Sequence, residues 1–125
     1  MNQKNIYIFN QDDEKAVRLF VKLGMPQHLA KTLVYISQAD ECQTIDIEHG
    51  TYLHQPEVSV ATQELQAKGW IIKREQKKDG KGRPVHIYKS AIEIKEILAN
   101  LERQKFEEFE KSKQDLMELR NLFQK

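Results

Sequence analysis

The sequence predicts a mainly α-helical chain with one small β-hairpin and a long C-terminal helix. Two observations lead to this prediction. Residues 71–89 contain two short, alternating apolar runs on either side of a loop rich in Gly, Lys and Arg, a pattern that is typical of a hairpin. Residues 91–125 contain no Gly or Pro and are rich in Glu, Lys, Leu and Gln, which favours one uninterrupted helix.

The composition fits one domain of ordinary size. The chain has 125 residues, of which 39% are hydrophobic and 31% charged, so it can bury a modest core beneath a highly charged surface. No apolar run approaches the roughly 20 residues of a membrane helix, and the N-terminus lacks the apolar core of a signal peptide. The single cysteine, Cys42, cannot form an internal disulfide, which fits a reducing compartment. We therefore expect a cytoplasmic protein with no membrane partner.

Two segments of the N-terminal half do not have a clear helical pattern. Residues 1–11 are interpreted as an N-terminal arm, in which residues 6–9 form a short strand or an ordered extension. Residues 40–43 are polar and are interpreted as a connection between helices.

Helical patterns fill the sequence between these two segments. Asp12 or Asp13 is predicted to cap a first helix that ends at Lys22. Pro26 suits the first turn of a second helix, and the apolar spacing predicts that this helix ends near Ala39.

Two shorter helical patterns follow, separated by one turn. Thr44 is predicted to cap the first helix, which covers residues 44–53. After a turn at residues 54–56, a second helix is predicted to extend to Lys68, with Gly69 as the residue that ends it. Two short helices joined by a tight turn form a helix-turn-helix candidate.

The positive charge of the chain is concentrated in the predicted hairpin. Residues 71–90 carry seven Lys and Arg and two carboxylates, a net charge of +5, whereas residues 1–70 carry −3 and residues 91–125 carry −1. A local basic patch is typical of a surface that binds phosphate groups. The alternative is that these lysines only protect an exposed sheet edge. Trp70, just before the hairpin, is predicted to be a core residue.

The C-terminal segment has an imperfect heptad pattern with one discontinuity. A 35-residue helix would be about 50 Å long at 1.5 Å per residue, too long to bury its whole apolar stripe against a small domain. We expect the same helix of a second copy to cover it, and the alternative is a helix that packs back on its own domain. The predicted dimerisation residues are Ile94, Leu98, Leu101, Phe109, Leu116, Leu119 and Phe123.

Three segments occur in an order and spacing that is typical of one protein family. Residues 46–59 contain an acidic residue, Ile, a helical stretch, Leu, a turn and Val-Ser. Residues 65–71 have the pattern Leu-x-x-Lys-Gly-apolar-Ile, and residues 82–84, Gly-Arg-Pro, are followed by Tyr88. Over about residues 13–90, the chain thus resembles the winged helix-turn-helix regulators of the MarR-like and TrmB-like type, from archaea and bacteria.

The resemblance implies both a fold and a partner. Residues 1–90 would form the winged helix-turn-helix domain, and residues 91–125 would form a long, coiled-coil-like dimerisation helix. The expected function is a dimeric transcriptional regulator that binds double-stranded DNA. Two positions depart from the family pattern: Val60 replaces a frequent polar residue after Val-Ser, and Tyr52 replaces the glycine of the helix-turn-helix turn.

The expected DNA contacts divide between the second short helix and the predicted hairpin of residues 71–89, which would be the wing of this fold. The helix has no Lys or Arg before Lys68, so we expect it to read bases through neutral groups while the wing contacts phosphates. Arg83, between Gly82 and Pro84, is the strongest candidate for a minor-groove contact. The predicted recognition-helix residues are Gln55, Glu57, Ser59, Val60, Thr62 and Gln63. The predicted wing residues are Lys73, Arg74, Lys77, Lys78, Lys81 and Arg83.

Other classes of function have little support in the sequence. There is no nucleophile or phosphate-loop motif, and the four His residues and Cys42 do not have metal-ligand spacing. We therefore expect no enzyme activity, metal or cofactor, and the sequence does not identify an effector. The alternative function is a winged-helix protein-interaction module that docks through its coiled-coil helix. The acidic residues of the second short helix favour this alternative.

Overall fold

The computed structural model describes residues 6–77 and 82–124. Lys78 and Lys81, two of the predicted wing contacts, lie outside the described residues. The chain forms two compact units, residues 1–92 and 93–125. In order, its elements are α1 (Gln11–Lys22), α2 (Gln27–Ala39), β1 (Glu41–Gln43), α3 (Thr44–Thr51), α4 (Gln55–Ala67), β2 (Ile71–Gln76), β3 (Val85–Ser90) and α5 (Ile94–Phe123).

The core of the first unit is built around α2. This helix packs against α1, α3 and α4, and it buries most of its length, including Leu33 and Tyr35 at 1% exposure each. The other helices contribute residues at three-to-four-residue spacing, as amphipathic helices do. These buried residues are Val17 and Phe20 of α1, Ile47 of α3, and Val58, Ala61 and Leu65 of α4.

The first helix begins earlier than predicted. Asn10, not Asp12 or Asp13, is the N-cap of α1. The Asn10 side chain accepts a hydrogen bond from the Asp13 backbone N–H at 3.0 Å, and the Asp13 carboxylate accepts one from the Asn10 backbone N–H at 3.0 Å. This reciprocal arrangement is a capping box, in which Asp13 occupies the third helical position.

The boundaries of α3 and α4 also differ by one or two residues from the prediction. Gln43 rather than Thr44 is the N-cap of α3, and its backbone N–H donates to the Asp46 carboxylate at 2.8 Å. His54 is the N-cap of α4, so the helix already includes most of the predicted turn. Gly69 follows the end of α4 with φ +77°, as predicted for a residue that terminates a helix.

Residues 40–43 are not merely the polar connection that their composition indicates. Glu41–Gln43 form β1, which pairs antiparallel with β3 so that Cys42 lies opposite Tyr88. Cys42 is 2% exposed. Pairing with a strand more than 40 positions away satisfies the backbone groups of this segment, and no local propensity would reveal that pairing.

The three strands form an antiparallel sheet with the order β1-β3-β2. In the hairpin, β2 and β3 pair from Ile71 opposite Ser90 to Gln76 opposite Val85. Ile71 and Tyr88 are buried, whereas Lys73 is exposed. Trp70 is half-buried rather than a core residue, and the Lys68 ammonium lies 5.2 Å from its ring centroid. A cation over an indole face keeps one side of the ring at the surface.

The second unit is the single helix α5. It has 30 residues, and Ile97 is its one buried residue. Together with the hairpin, α5 confirms the predicted fold class: mainly α-helical, with a small β-hairpin and a long C-terminal helix. None of the helices in the described part of the chain is long and apolar enough to cross a membrane.

Candidate nucleic-acid interface

The exposed side of α4 carries no cation; its charged residues are Glu57 and Glu64, and the other exposed residues are neutral. Gln55, Ser59, Val60 and Gln63 are all exposed, with Val60 at 48%. Amide groups can form paired hydrogen bonds with adenine, hydroxyls can contact bases or phosphates, and small apolar groups can contact the thymine methyl. This face is chemically suited to contact base edges and offers little attraction for phosphate.

Thr62 does not belong to this exposed face. It is 2% exposed, and its hydroxyl donates to the Ser59 carbonyl oxygen at 3.1 Å. The residue lies on the same side of α4 as Val58 and Leu65, which are also buried. The prediction of Thr62 as a DNA-contact residue is therefore wrong, because the helical period places its side chain in the core.

Glu57 has a structural role at the start of α4. Its carboxylate accepts a hydrogen bond from the His54 backbone N–H at 3.0 Å, which completes a capping box. A carboxylate in the first turn also interacts favourably with the positive end of the helix dipole. Glu57, one of the acidic residues that favoured the protein-interaction alternative, is therefore explained by the helix that it caps.

The two charged residues in the middle of β2 lie on opposite faces of the sheet. Lys73 pairs with Tyr88, while Arg74 pairs with Ile87. The Arg74 guanidinium donates to the Glu41 carboxylate at 2.8 Å and forms an ion pair with it. The charge of Arg74 is thereby balanced within the sheet, which distinguishes it from the other wing cations.

The other described cations among the predicted wing residues are exposed and form no ion pair within the described part of the chain. Lys73, Lys77 and Arg83 are exposed, and no ion pair involves them within residues 6–77 and 82–124. Arg83 is held between Pro84 and Gly82, which has φ +86°. The positive φ is a conformation that glycine adopts at no steric cost. The wing thus presents unbalanced positive charge to solvent.

Most of the predicted dimerisation residues are exposed in the single chain. Leu98, Phe109, Leu116, Leu119 and Phe123 are 47–84% exposed, and Ile94 and Leu101 are half-buried. The heptad spacing missed three further exposed apolar residues, because they flank the main stripe rather than lie on it. These are Phe106, Met117 and Leu122, at 58–67% exposure.

Tyr52, which replaces the glycine of the family pattern, is an exposed aromatic residue shortly before α4. Tyr52 is the C-cap of α3, has a left-handed backbone (φ 61°, ψ 21°) and is 89% exposed. Glycine is the residue that ordinarily occupies this conformation, and the family pattern has glycine here. The sequence signal for this unusual backbone conformation is a bulky residue at a position where the family pattern has glycine.

The comparisons with known proteins agree with this architecture. No protein-family model matches the chain, and no curated protein matches it significantly. Among solved structures, a possible transcriptional regulator from Methanosarcina mazei Go1 matches with a TM-score of 0.62 and 17% identity, covering 93% of this chain and 98% of that one. TrmBL2, an archaeal chromatin protein with a novel mode of DNA binding, matches with a TM-score of 0.58 and 16% identity, covering 88% of this chain.

The two matches differ in how much of the known structure they include. The chain spans 41% of the length of TrmBL2, but nearly the whole length of the Methanosarcina mazei protein. In both, the similarity extends over the helices and the hairpin together, since it covers at least 88% of this chain. The chain therefore has a winged helix-turn-helix fold, in which α3 and α4 form the helix-turn-helix and β2 and β3 form the wing.

Proposed function

We propose that the protein is a dimeric, DNA-binding transcriptional regulator. The observation that carries this proposal is the presence, within one compact unit, of exposed neutral side chains on α4 and of three described wing cations, Lys73, Lys77 and Arg83, that form no ion pair within the described residues. Such a combination suits a duplex, which presents base edges in its groove and phosphates along both sides. The fold similarity to TrmBL2, itself a DNA-binding protein, supports the same function.

The two surfaces would have different tasks. Lys73 and Lys77, together with Lys78 and Lys81, would contact phosphates, and each contact would release counterions and make binding more sensitive to salt. Arg83 at the return of the hairpin would enter a minor groove, where the potential is most negative when the groove is narrow. Arg74 would contribute less, because Glu41 already balances its charge.

On α4, the proposed base contacts are the exposed residues alone. Gln55 and Gln63 would donate and accept hydrogen bonds at base edges, Ser59 would contact a base or phosphate, and Val60 would contact a thymine methyl. Glu57 would stay in its capping box, and buried Thr62 is left out. Sequence discrimination would thus depend on four side chains.

The long helix would hold two copies together. The 30 residues of α5 correspond to about 45 Å of helix, and its exposed apolar residues would be covered by α5 of the second copy. In a dimer with two-fold symmetry, the two α4 helices would enter successive major grooves about 34 Å apart. Residues 91–125 are therefore proposed as the dimerisation segment and residues 1–90 as the DNA-binding domain.

Fluorescence anisotropy with a generic labelled duplex at low salt tests DNA binding directly. We expect saturable binding, and the variant Lys77→Ala/Arg83→Ala should bind more weakly and have a salt slope lower by about 2. The matched control is Lys15→Ala/Lys22→Ala, which removes two exposed cations from α1 and should bind like the unmodified protein. Absence of binding by the unmodified protein would exclude the DNA-binding function.

A second candidate function is a winged-helix module for protein interaction. The observation that favours it is the exposed apolar side of α5, which could dock on another protein instead of a second copy. A monomer in sedimentation experiments that also fails to bind DNA would favour this candidate. A dimer that binds duplex DNA would exclude it.

A further inference from the structure

The proposed phosphate contacts all follow the C-terminal end of α4. The wing begins with β2 at Ile71, shortly after α4 ends at Ala67, and the 13 residues of α4 correspond to about 20 Å of helix. A recognition helix contacts base edges through its N-terminal residues, so the residues just before Gln55 would lie beside a phosphate strand. The chemistry of the turn before α4, residues 52–54, therefore bears on DNA binding.

Tyr52 is the first residue of this turn. Its side chain is 89% exposed, and its hydroxyl forms no hydrogen bond within the described part of the chain. The backbone has φ 61°, a conformation that is unfavourable for any residue with a Cβ atom. Neither folding nor burial explains a large aromatic residue here, and strained residues cluster at functional sites.

A cation from α2 is held next to Tyr52. The Lys31 side chain reaches the end of α3, where its ammonium donates a hydrogen bond to the Thr51 carbonyl oxygen at 3.4 Å. This contact places positive charge at the negative end of the α3 dipole, which is itself stabilising. An ammonium has three N–H donors, so the contact with Thr51 leaves donors of Lys31 available for a second acceptor.

The carboxylates that flank the turn in sequence do not neutralise Lys31. Neither Glu48 nor Glu57 forms an ion pair with it, and Lys31 forms none with any other residue in the described ranges. The Glu57 carboxylate instead accepts a hydrogen bond from the His54 backbone N–H at 3.0 Å. The N-terminal end of α4 thus has an unbalanced cation and an unused hydroxyl donor beside it.

We propose that Tyr52 and Lys31 form a second contact with the DNA backbone, at the end of α4 remote from the wing. The Tyr52 hydroxyl would donate to a phosphate oxygen, and the Lys31 ammonium would bind the same phosphate or its neighbour. Phosphate contacts fix the register of a protein on the duplex, so contacts at both ends of α4 would hold its exposed side chains against the base edges. This inference rests on the proposed DNA-binding function.

Anisotropy titrations with a generic labelled duplex at several salt concentrations separate the hydroxyl from the cation. Tyr52→Phe keeps the ring and should weaken binding about two- to tenfold, the range for one lost hydrogen bond, with an unchanged salt slope. Lys31→Gln should lower the salt slope by about 0.9, because a cation in the interface releases counterions. Lys15→Gln, which removes an exposed cation from α1, should change neither quantity.

Thermal stability distinguishes a DNA contact from a purely structural role. Tyr52→Gly should raise the melting temperature, because glycine adopts the left-handed conformation without strain, and should still weaken DNA binding at least as much as Tyr52→Phe. A Tyr52→Gly variant that is more stable and binds duplex as well as the unmodified protein would overturn the role of Tyr52. A Lys31→Gln variant with a lower melting temperature but an unchanged salt slope would mean that Lys31 only stabilises the end of α3.

Photocross-linking tests the proximity of the turn to DNA directly. The full chain with p-benzoylphenylalanine in place of Tyr52 should cross-link to the labelled duplex, and the same group in place of Leu19, which is 50% exposed on α1, should not. If the unmodified protein binds no duplex, the DNA-binding function fails and this inference fails with it. If Lys77→Ala/Arg83→Ala weakens binding but Tyr52→Phe does not, and no cross-link forms at position 52, this inference alone is overturned.

Discussion

The ring of Tyr35 lies directly against the backbone of Gly50. A Cβ atom added to Gly50 would lie 2.9 Å from Cδ2 of Tyr35 and closer still to Cε2. Tyr35 is 1% exposed and also supports the Tyr7 and Phe9 rings of the arm. One glycine of α3 thus allows a central aromatic residue to connect α2, α3 and the arm.

We expect Gly50→Ala to lower the free energy of unfolding by about 1–3 kcal/mol, the usual cost of forcing an extra methyl group into a packed core. Urea denaturation followed by circular dichroism measures this loss. The same substitution in a Tyr35→Leu background should cost much less, because the smaller side chain leaves room for the methyl group. An equal cost in both backgrounds would show that the Tyr35 ring is not the cause.

The two tyrosines of this cluster should make stability depend on pH in the alkaline range. The pKa of Tyr7 and that of Tyr35 are both raised from 10.0 to about 12, chiefly by burial, and in Tyr7 the hydrogen bond to Asp13 is part of that rise. Since the folded state holds these protons more tightly than the unfolded state, the stability they confer is fully present below pH 10. It is lost as the pH rises through about 12.

Urea midpoints measured from pH 9 to pH 12 test this dependence. The unmodified protein should lose stability progressively above pH 10, and Tyr7→Phe should lose less over the same interval, because one of the two shifted groups is absent. Tyr52→Phe is the control, since that ring is 89% exposed, and its midpoints should follow those of the unmodified protein. Identical profiles for Tyr7→Phe and the unmodified protein would contradict the role of Tyr7.

The ion pair between Arg74 and Glu41 predicts unequal contributions from the wing cations. Arg83→Ala should lower the slope of log affinity against log salt by about 0.9, the value for one cation lost from the DNA interface. Arg74→Ala should lower it less, because its guanidinium lies 2.8 Å from a carboxylate oxygen. Anisotropy titrations at several salt concentrations give both slopes. Equal reductions would mean that Arg74 leaves Glu41 to contact phosphate.

Sequence patterns predicted those elements whose signals are local. The hairpin follows from alternating apolar residues around a Gly-rich loop, and α5 follows from a long segment without Gly or Pro. In contrast, β1 exists because Glu41–Gln43 pair with β3, and a segment of three residues carries no local sign of that distant partner. The ion pair of Arg74 with Glu41 depends on the same pairing, so it could not be predicted from the sequence either.

Burial on α4 shows a second limit of pattern reading. Ala61 and Thr62 are adjacent, and helical spacing from Val58 allows either residue to face the core. The structure buries both, at 0% and 2% exposure, because the Thr62 hydroxyl is satisfied by the Ser59 carbonyl. A polar residue type alone was therefore a poor guide to exposure.

The apolar stripe of α5 should determine the oligomeric state. Leu119 lies on the stripe and is 51% exposed in the single chain, whereas Asn121, also exposed, is two residues further and thus on the opposite side of the helix. In a dimer held by α5, Leu119→Glu would place a charge in an apolar interface, where burial without a partner is strongly unfavourable. Asn121→Glu adds the same charge outside that interface.

Sedimentation equilibrium of the full chain distinguishes the two variants. We expect the unmodified protein and Asn121→Glu to be dimers, and Leu119→Glu to have a dimer dissociation constant at least about tenfold higher, equivalent to roughly 1.4 kcal/mol. Because α5 forms its own compact unit, the first unit should stay folded in both variants. A fully dimeric Leu119→Glu would place the dimer interface elsewhere on the protein.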